Sequence, residues 1–200
     1  MALRCSCAMM IQVERTIFKI HSHFLTKQSE VFRDMVTAAP RANDHNGGTD
    51  SEPLVLSGDS VEGWELFLSS IYRTNSFKPI TFTGKQSIEI IRITHKYCMQ
   101  SAEDELISRL KEETGATKFL DLIVASRIVD SKELYDTALR GLTDSEYRLT
   151  LEEAKMIGIE ASYAIMSQFQ SKLKPWICRN TRCKQVDNFQ TQCNSCLLWQ

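Results

Sequence analysis

Residues 18–35 read FKIHSHFLTKQSEVFRDM. The apolar period changes within this stretch. Up to it, Ile11 and Val13 alternate with Gln12, and Phe18 and Ile20 alternate with Lys19, which is strand periodicity with Glu14-Arg15 as the turn between two strands. Beyond His21, the residues Leu25, Phe32, Met35 and Val36, with Gln28, share one face at helical spacing, so a helix is expected over 24–36, ended by Pro40. A strand that passes into a helix through a histidine raises a chemical question, because His23 lies one residue beyond His21 and a serine follows. His-x-His sets two imidazoles on one face of a strand, but no nearby Cys, Asp or Glu completes a metal set. Ser29 as a nucleophile lacks the G-x-S-x-G turn and a placed acid. The segment is therefore expected to be a structural corner.

Working outward, residues 40–53 (PRANDHNGGTDSEP) hold Gly, Asn, Asp and Pro and no large apolar side chain, so they read as a mobile loop. Leu54-Val55-Leu56 reads as a short strand. Asp59 with Glu62 three residues on reads as a capping box opening a helix that carries Val61, Trp64, Leu68 and Ile71, with Asn75 at its exit. Ile88, Ile91, His95 and Cys98 form the stripe of the next helix, with His95 expected as a satisfied core histidine. From there the pattern is helix after helix. Ser101 and Asp104 suit one cap, Gly115 an end, Thr150 with Glu153 a further capping box, and Gly158 a stop before a last helix over 160–173. Strands confined to the first ~80 residues and helices thereafter define an α+β domain followed by an all-α extension.

The chain has 200 residues, 42% hydrophobic and 24% charged, with a net charge of −1, enough for one domain plus an appended part with a real core. The near-zero charge argues against a general binder of nucleic acid or anionic membrane. No apolar run approaches the ~20 residues that span a bilayer, and MALRCSCAMMIQ makes a poor signal peptide. Seven cysteines, odd in number and uneven in placement, fit a reducing interior rather than a secreted disulfide scaffold, so a cytoplasmic or nuclear location is expected. Gly47-Gly48 has no strand-to-helix frame and no following Lys, so no phosphate loop is read there. Nothing in the chain assembles a catalytic constellation, and a non-catalytic protein is expected.

The spacing Phe18-x-Ile20-His21-x3-Leu25-x3-Ser29-x2-Phe32-x2-Met35 resembles the signature of the BTB/POZ domain. PLVLSGDSVEGWELFLSSIY resembles that family's next strand and helix, with Trp64 inside and Tyr72 at the end. IEIIRITHKYCM resembles its following helix, with Tyr97 near the expected place. The resemblance implies that His21, Leu25, Ser29 and Phe32 point inward at the strand-to-helix corner, with His21 satisfying a backbone group at the junction and Ser29 bonding back to a carbonyl of the preceding turn. The run is similar to BTB proteins of mushroom-type (basidiomycete) fungi, which continue into helices with a phrase like LTLEEAKMIGIE, here 149–160. It departs at the start, where Met9-Met10 stand in place of an acidic lead-in. The resemblance implies a lead-in over 1–8, a BTB/POZ-like domain over 9–113, a helical extension over 114–173 and a tail over 174–200. It also implies protein partners: a second copy of the chain, or a cullin-type ubiquitin ligase that the chain serves as adaptor. Family members that bind cullin often carry an acid soon after the Ser-Phe helix, and Val36-Thr37-Ala38-Ala39-Pro40 has none.

The strongest chemical signal lies in the tail. Cys178-x4-Cys183-x9-Cys193-x2-Cys196 offers four thiolates in two pairs, the ligand count of a closed structural zinc site. One structural Zn²⁺ is expected, with unligated thiols in a loose tail, or redox or disulfide use, as the alternatives. Lys172, Lys174, Arg179, Arg182 and Lys184 surround the pairs with Trp176 and Phe189, so a zinc-containing nucleic-acid-associated regulator is a second functional reading, behind a solvated basic tail.

Overall fold

The computed structural model of the chain describes residues 8–38, 52–72, 81–172, 176–177 and 186–187. The chain divides between Ala138 and Leu139 into two compact units.

The first unit opens with strands β1 (Ala8–Val13) and β2 (Thr16–His21), paired antiparallel around Glu14-Arg15 as the alternation requires. Glu14 takes a positive φ of 53°, a turn conformation that Asn or Gly adopts more readily. Strand β3 (Leu54–Leu56) adds to the other side of β1 in parallel, giving the order β2-β1-β3. Met9, Ile11, Val13, Ile20 and Leu56 are buried on one sheet face. On the other, Ile17 and Val55 both register with Gln12, so the three side chains form one outward row.

The helix expected over 24–36 is two helices, α1 (Ser22–Gln28) and α2 (Glu30–Ala38). Ser29 separates them with extended backbone (φ −130°, ψ 123°). Its Oγ accepts the Phe32 N–H at 3.1 Å, and its carbonyl accepts the Arg33 N–H at 3.1 Å. Ser29 is thus the N-cap of α2, and a good cap can outweigh helix continuity. The hydroxyl donates to the Tyr97 carbonyl at 2.6 Å, not to the preceding turn. Leu25 and Phe32 are buried, whereas Met35 and Val36 are exposed, so the expected stripe faces inward only over its first part.

Helix α3 (Val61–Ile71) packs on α4 (Gly84–Lys96). Gly63 permits the approach: a Cβ there would stand 2.9 Å from Ser60 Oγ and 3.0 Å from Ile93 Cδ1. The expected exit at Asn75 lies outside the described residues. Helix α4 is capped by a reciprocal Thr83–Gln86 box and buries Ile88, Ile90, Ile91 and Ile93. Helices α5 (Gln100–Glu112) and α6 (Thr117–Ile128) cover it, burying Leu106 and Leu110, and Leu120, Leu122 and Ile123. Neither Ser101 nor Asp104 caps α5, which starts after Met99 without a side-chain cap.

Helix α7 (Lys132–Asp144) carries the division between the units, and α8 (Leu151–Lys172) follows. The Thr150–Glu153 box opens α8: the Glu153 carboxylate accepts the Thr150 N–H at 2.8 Å, and Thr150 Oγ1 accepts the Glu153 N–H at 3.3 Å. Gly158, with φ 81° and ψ 168°, breaks α8 into two helices. In the second unit Leu142, Ile157, Ala161 and Ile165 are buried. Two-residue strands β4 (Trp176–Ile177) and β5 (Val186–Asp187) pair antiparallel.

Helices α4, α6 and α7 end alike. Cys98, Asp130 and Glu146 take left-handed φ of 52°, 49° and 52°, and the next residue's N–H closes back on Thr94, Ser126 and Leu142 respectively. This is the Schellman closure, whose left-handed position favours glycine. Cys98 is exposed, so Cys98→Gly is expected to raise stability by about 0.5–1 kcal/mol, read as a higher urea midpoint at unchanged slope.

Candidate functional site

The loop from β3 into α3 supplies the centre of the site. Asp59 was expected to cap α3, but Ser60 does so, its Oγ accepting the Gly63 N–H at 3.1 Å. That leaves the Asp59 carboxylate to turn inward, where its side chain is only 3% exposed. Trp64 Nε1–H donates to Oδ2 at 2.9 Å, the Tyr97 hydroxyl donates to the same oxygen at 2.6 Å, and the Lys96 ammonium donates to Oδ1 at 2.5 Å. The same ammonium donates to the Ser57 carbonyl. Burial, then the bond to Asp59, then its negative charge push the Tyr97 hydroxyl far above its ordinary pKa.

Trp64 and Tyr97 belong to an aromatic cluster with Phe32 and Phe67. Phe32 lies 4.6 Å from Tyr97 between ring centroids and edge-on to Trp64 at 6.1 Å. Trp64 is edge-on to Phe67 at 5.6 Å. Ser29 ties α2 to the same place through the Tyr97 carbonyl. Of the residues singled out from the sequence, Trp64 and Tyr97 thus meet at Asp59, with Phe32 against both rings and Ser29 on the Tyr97 carbonyl; sequence reasoning missed Asp59 as the hub. The only local signal was an Asp five residues before a Trp; its other partners lie 37 and 38 residues on. Both carboxylate oxygens are engaged and the phenol is held protonated, so the cluster is a fastening and offers no free acid or base.

His21, Phe18 and Tyr72 are placed differently. His21 is exposed rather than inward, and its side chain makes no capping bond to α1. The partner of the junction is Tyr72: its hydroxyl accepts the His21 backbone N–H at 2.6 Å and lies 3.2 Å from His21 Nδ1. Phe24 stands edge-on to Tyr72 at 5.0 Å and to His21 at 6.0 Å, and is 37% exposed. Phe18 is half-buried on the sheet and Leu25 fully buried beneath α1. His95 is also corrected, because it is exposed and its Nδ1 lies 2.9 Å from the buried Glu103 carboxylate on α5. Cys178, Cys183, Cys193 and Cys196 lie outside the described residues.

A separate titrating group sits where α6 meets the start of α4. A Cβ on Gly84 would fall 2.0 Å from Asp121 Oδ2, so the missing side chain makes room for this carboxyl. Burial, then the charge of Glu113, push Asp121 up to about 6. The folded state therefore holds a proton that the unfolded chain releases near pH 4. The resulting stability is full below pH 4 and is lost as pH rises through 6. That rise would be worth about 2.7 kcal/mol in a dry site, and partial exposure reduces it to about 1 kcal/mol. Asp121→Asn is expected to abolish this slope between pH 4 and 6 in urea denaturation.

Among the exposed residues of the first unit are apolar and aromatic side chains: the Phe24 cluster, and Ile17 and Val55 on the outer sheet face, 54% and 61% exposed. The family model of the BTB/POZ domain matches residues 2–114, and the chain belongs to that family. The fold is accordingly that of a protein–protein interaction and dimerisation module, a class that is typically non-catalytic. Among the described residues no helix is long and apolar enough to cross a membrane. No curated protein matches the chain.

Proposed function

We propose that the chain is an intracellular, non-catalytic scaffold that self-associates through its BTB/POZ unit and carries further helices for a second protein. The observation behind this reading is the Phe24–His21–Tyr72 cluster, an aromatic patch left half open at the start of α1 while the polar groups of Asp59, Trp64 and Tyr97 are satisfied within the fold. Aromatic side chains of this type supply the anchors of protein interfaces. Phe24→Glu is the variant that tests the patch, by the change in molar mass it produces. The cullin-adaptor reading is the alternative. Exposed Met35 and Val36 near the end of α2 favour a partner there, while the acid-free run 36–40 disfavours a cullin. Absence of any cullin among stably copurifying proteins would end that alternative.

The tail cysteines are proposed to hold one structural zinc. Two pairs of thiolates supply the ligand number, and the β4–β5 ladder sets Ile177, just before Cys178, across from Val186, just after the Cys183 segment. Protein purified without chelator is expected to contain about one zinc per chain. The Cys193→Ser, Cys196→Ser variant is expected to contain none; retained zinc would show different ligands.

A further inference from the structure

The aromatic patch at the start of α1 contains a titratable ring. The Tyr72 hydroxyl, at the C-terminal end of α3, accepts the His21 backbone N–H at 2.6 Å. Its own hydrogen is then left for His21 Nδ1, 3.2 Å away. Nδ1 can accept that hydrogen only while it carries no proton, so the fitting form of the ring is the neutral one with its proton on Nε2. A second proton would set an N–H against the hydroxyl and remove the acceptor. The ring is exposed and stands edge-on to Phe24, so it belongs to the surface of the patch and not to its base.

We infer that His21 makes self-association through this patch sensitive to pH: two copies join with the imidazoles neutral and separate as the rings take up protons. The inference rests on the reading of the Phe24 patch as the contact between two copies. An isologous contact brings the same patch of each copy together, so both His21 rings enter it. Burial among aromatic side chains disfavours an imidazolium, and two of them repel. Nothing beside the ring offsets that charge. Among the described residues His21 forms no ion pair. Lys19 on β2, and His23 and Lys27 on α1, carry or gain positive charge. Of the acids on α2 and at the start of α5, the helices packed on α1, Glu30 pairs with Arg33 and Glu103 with His95. Asp104 accepts from Gln100 at 2.9 Å, and Asp34 stands on the face of α2 opposite buried Phe32.

Sedimentation equilibrium of the full chain at about pH 7.5 and about pH 5.5 tests this, since imidazole side chains ordinarily titrate near pH 6.5. About one imidazole in ten is neutral at the lower pH, so a contact that needs two neutral rings weakens up to about a hundredfold. The dimer dissociation constant is expected to rise by about tenfold or more on acidification, and to stay constant in His21→Gln. The chain has four histidines, and the variant His23→Gln, His45→Gln, His95→Gln leaves His21 as the last of them. That variant is expected to keep the full response. A smaller rise in the unaltered chain, a response kept in His21→Gln, or one lost in the triple variant would overturn the inference and leave the self-association reading standing. The mass of a single chain at the higher pH would overturn both.

Discussion

Asp59→Ala is expected to lower the stability of the BTB/POZ unit by about 3–5 kcal/mol. The carboxylate is the acceptor for two donors that have no route to water where they stand, Trp64 Nε1–H and the Tyr97 hydroxyl, on residues 0% and 3% exposed. Each buried donor left without an acceptor costs about 1–3 kcal/mol. Lys96 adds little to the loss, because its side chain is 41% exposed and its ammonium can turn to solvent. Asp59→Asn keeps one acceptor oxygen and is expected to lose less. Urea denaturation measures both. A loss under about 1 kcal/mol for the alanine variant would mean that the carboxylate does not organise the cluster.

Phe32→Ala is expected to cost about 3–5 kcal/mol as well, by a different route. The ring is fully buried between Tyr97 and Trp64, and its removal leaves a cavity that rigid aromatic neighbours cannot fill. His23→Ala, nine residues earlier and exposed, is expected to stay within about 0.5 kcal/mol. Equal shifts in thermal unfolding for the two variants would show that the corner between β2 and α2 is packed differently.

Much of this architecture is legible in the sequence because its signals are local. Alternation over 9–20 marks the hairpin, and Thr150 with Glu153 marks the start of α8. Gly158 marks the break in α8, because positive φ favours a residue without Cβ. The misreadings share one cause: a choice between two local partners decided by residues far along the chain. Asp59 and Ser60 are both competent caps, and only the arrival of Lys96 and Tyr97 draws Asp59 inward. Ser29 likewise breaks a helix that periodicity alone would continue, because the Tyr97 carbonyl, 68 residues on, holds its hydroxyl. His21 looked inward by analogy, but Tyr72 occupies the place its ring was expected to take. The ends of α4, α6 and α7 carry no glycine, since Cys98, Asp130 and Glu146 accept a left-handed backbone that sequence rules assign to Gly or Asn.

The claim that the chain is a self-associating module is tested most directly by light scattering on the purified full chain over a range of concentrations. The account predicts a molar mass twice the 22.9 kDa of one chain, falling to one chain for Phe24→Glu. A mass of one chain at every concentration for the unaltered protein would contradict it.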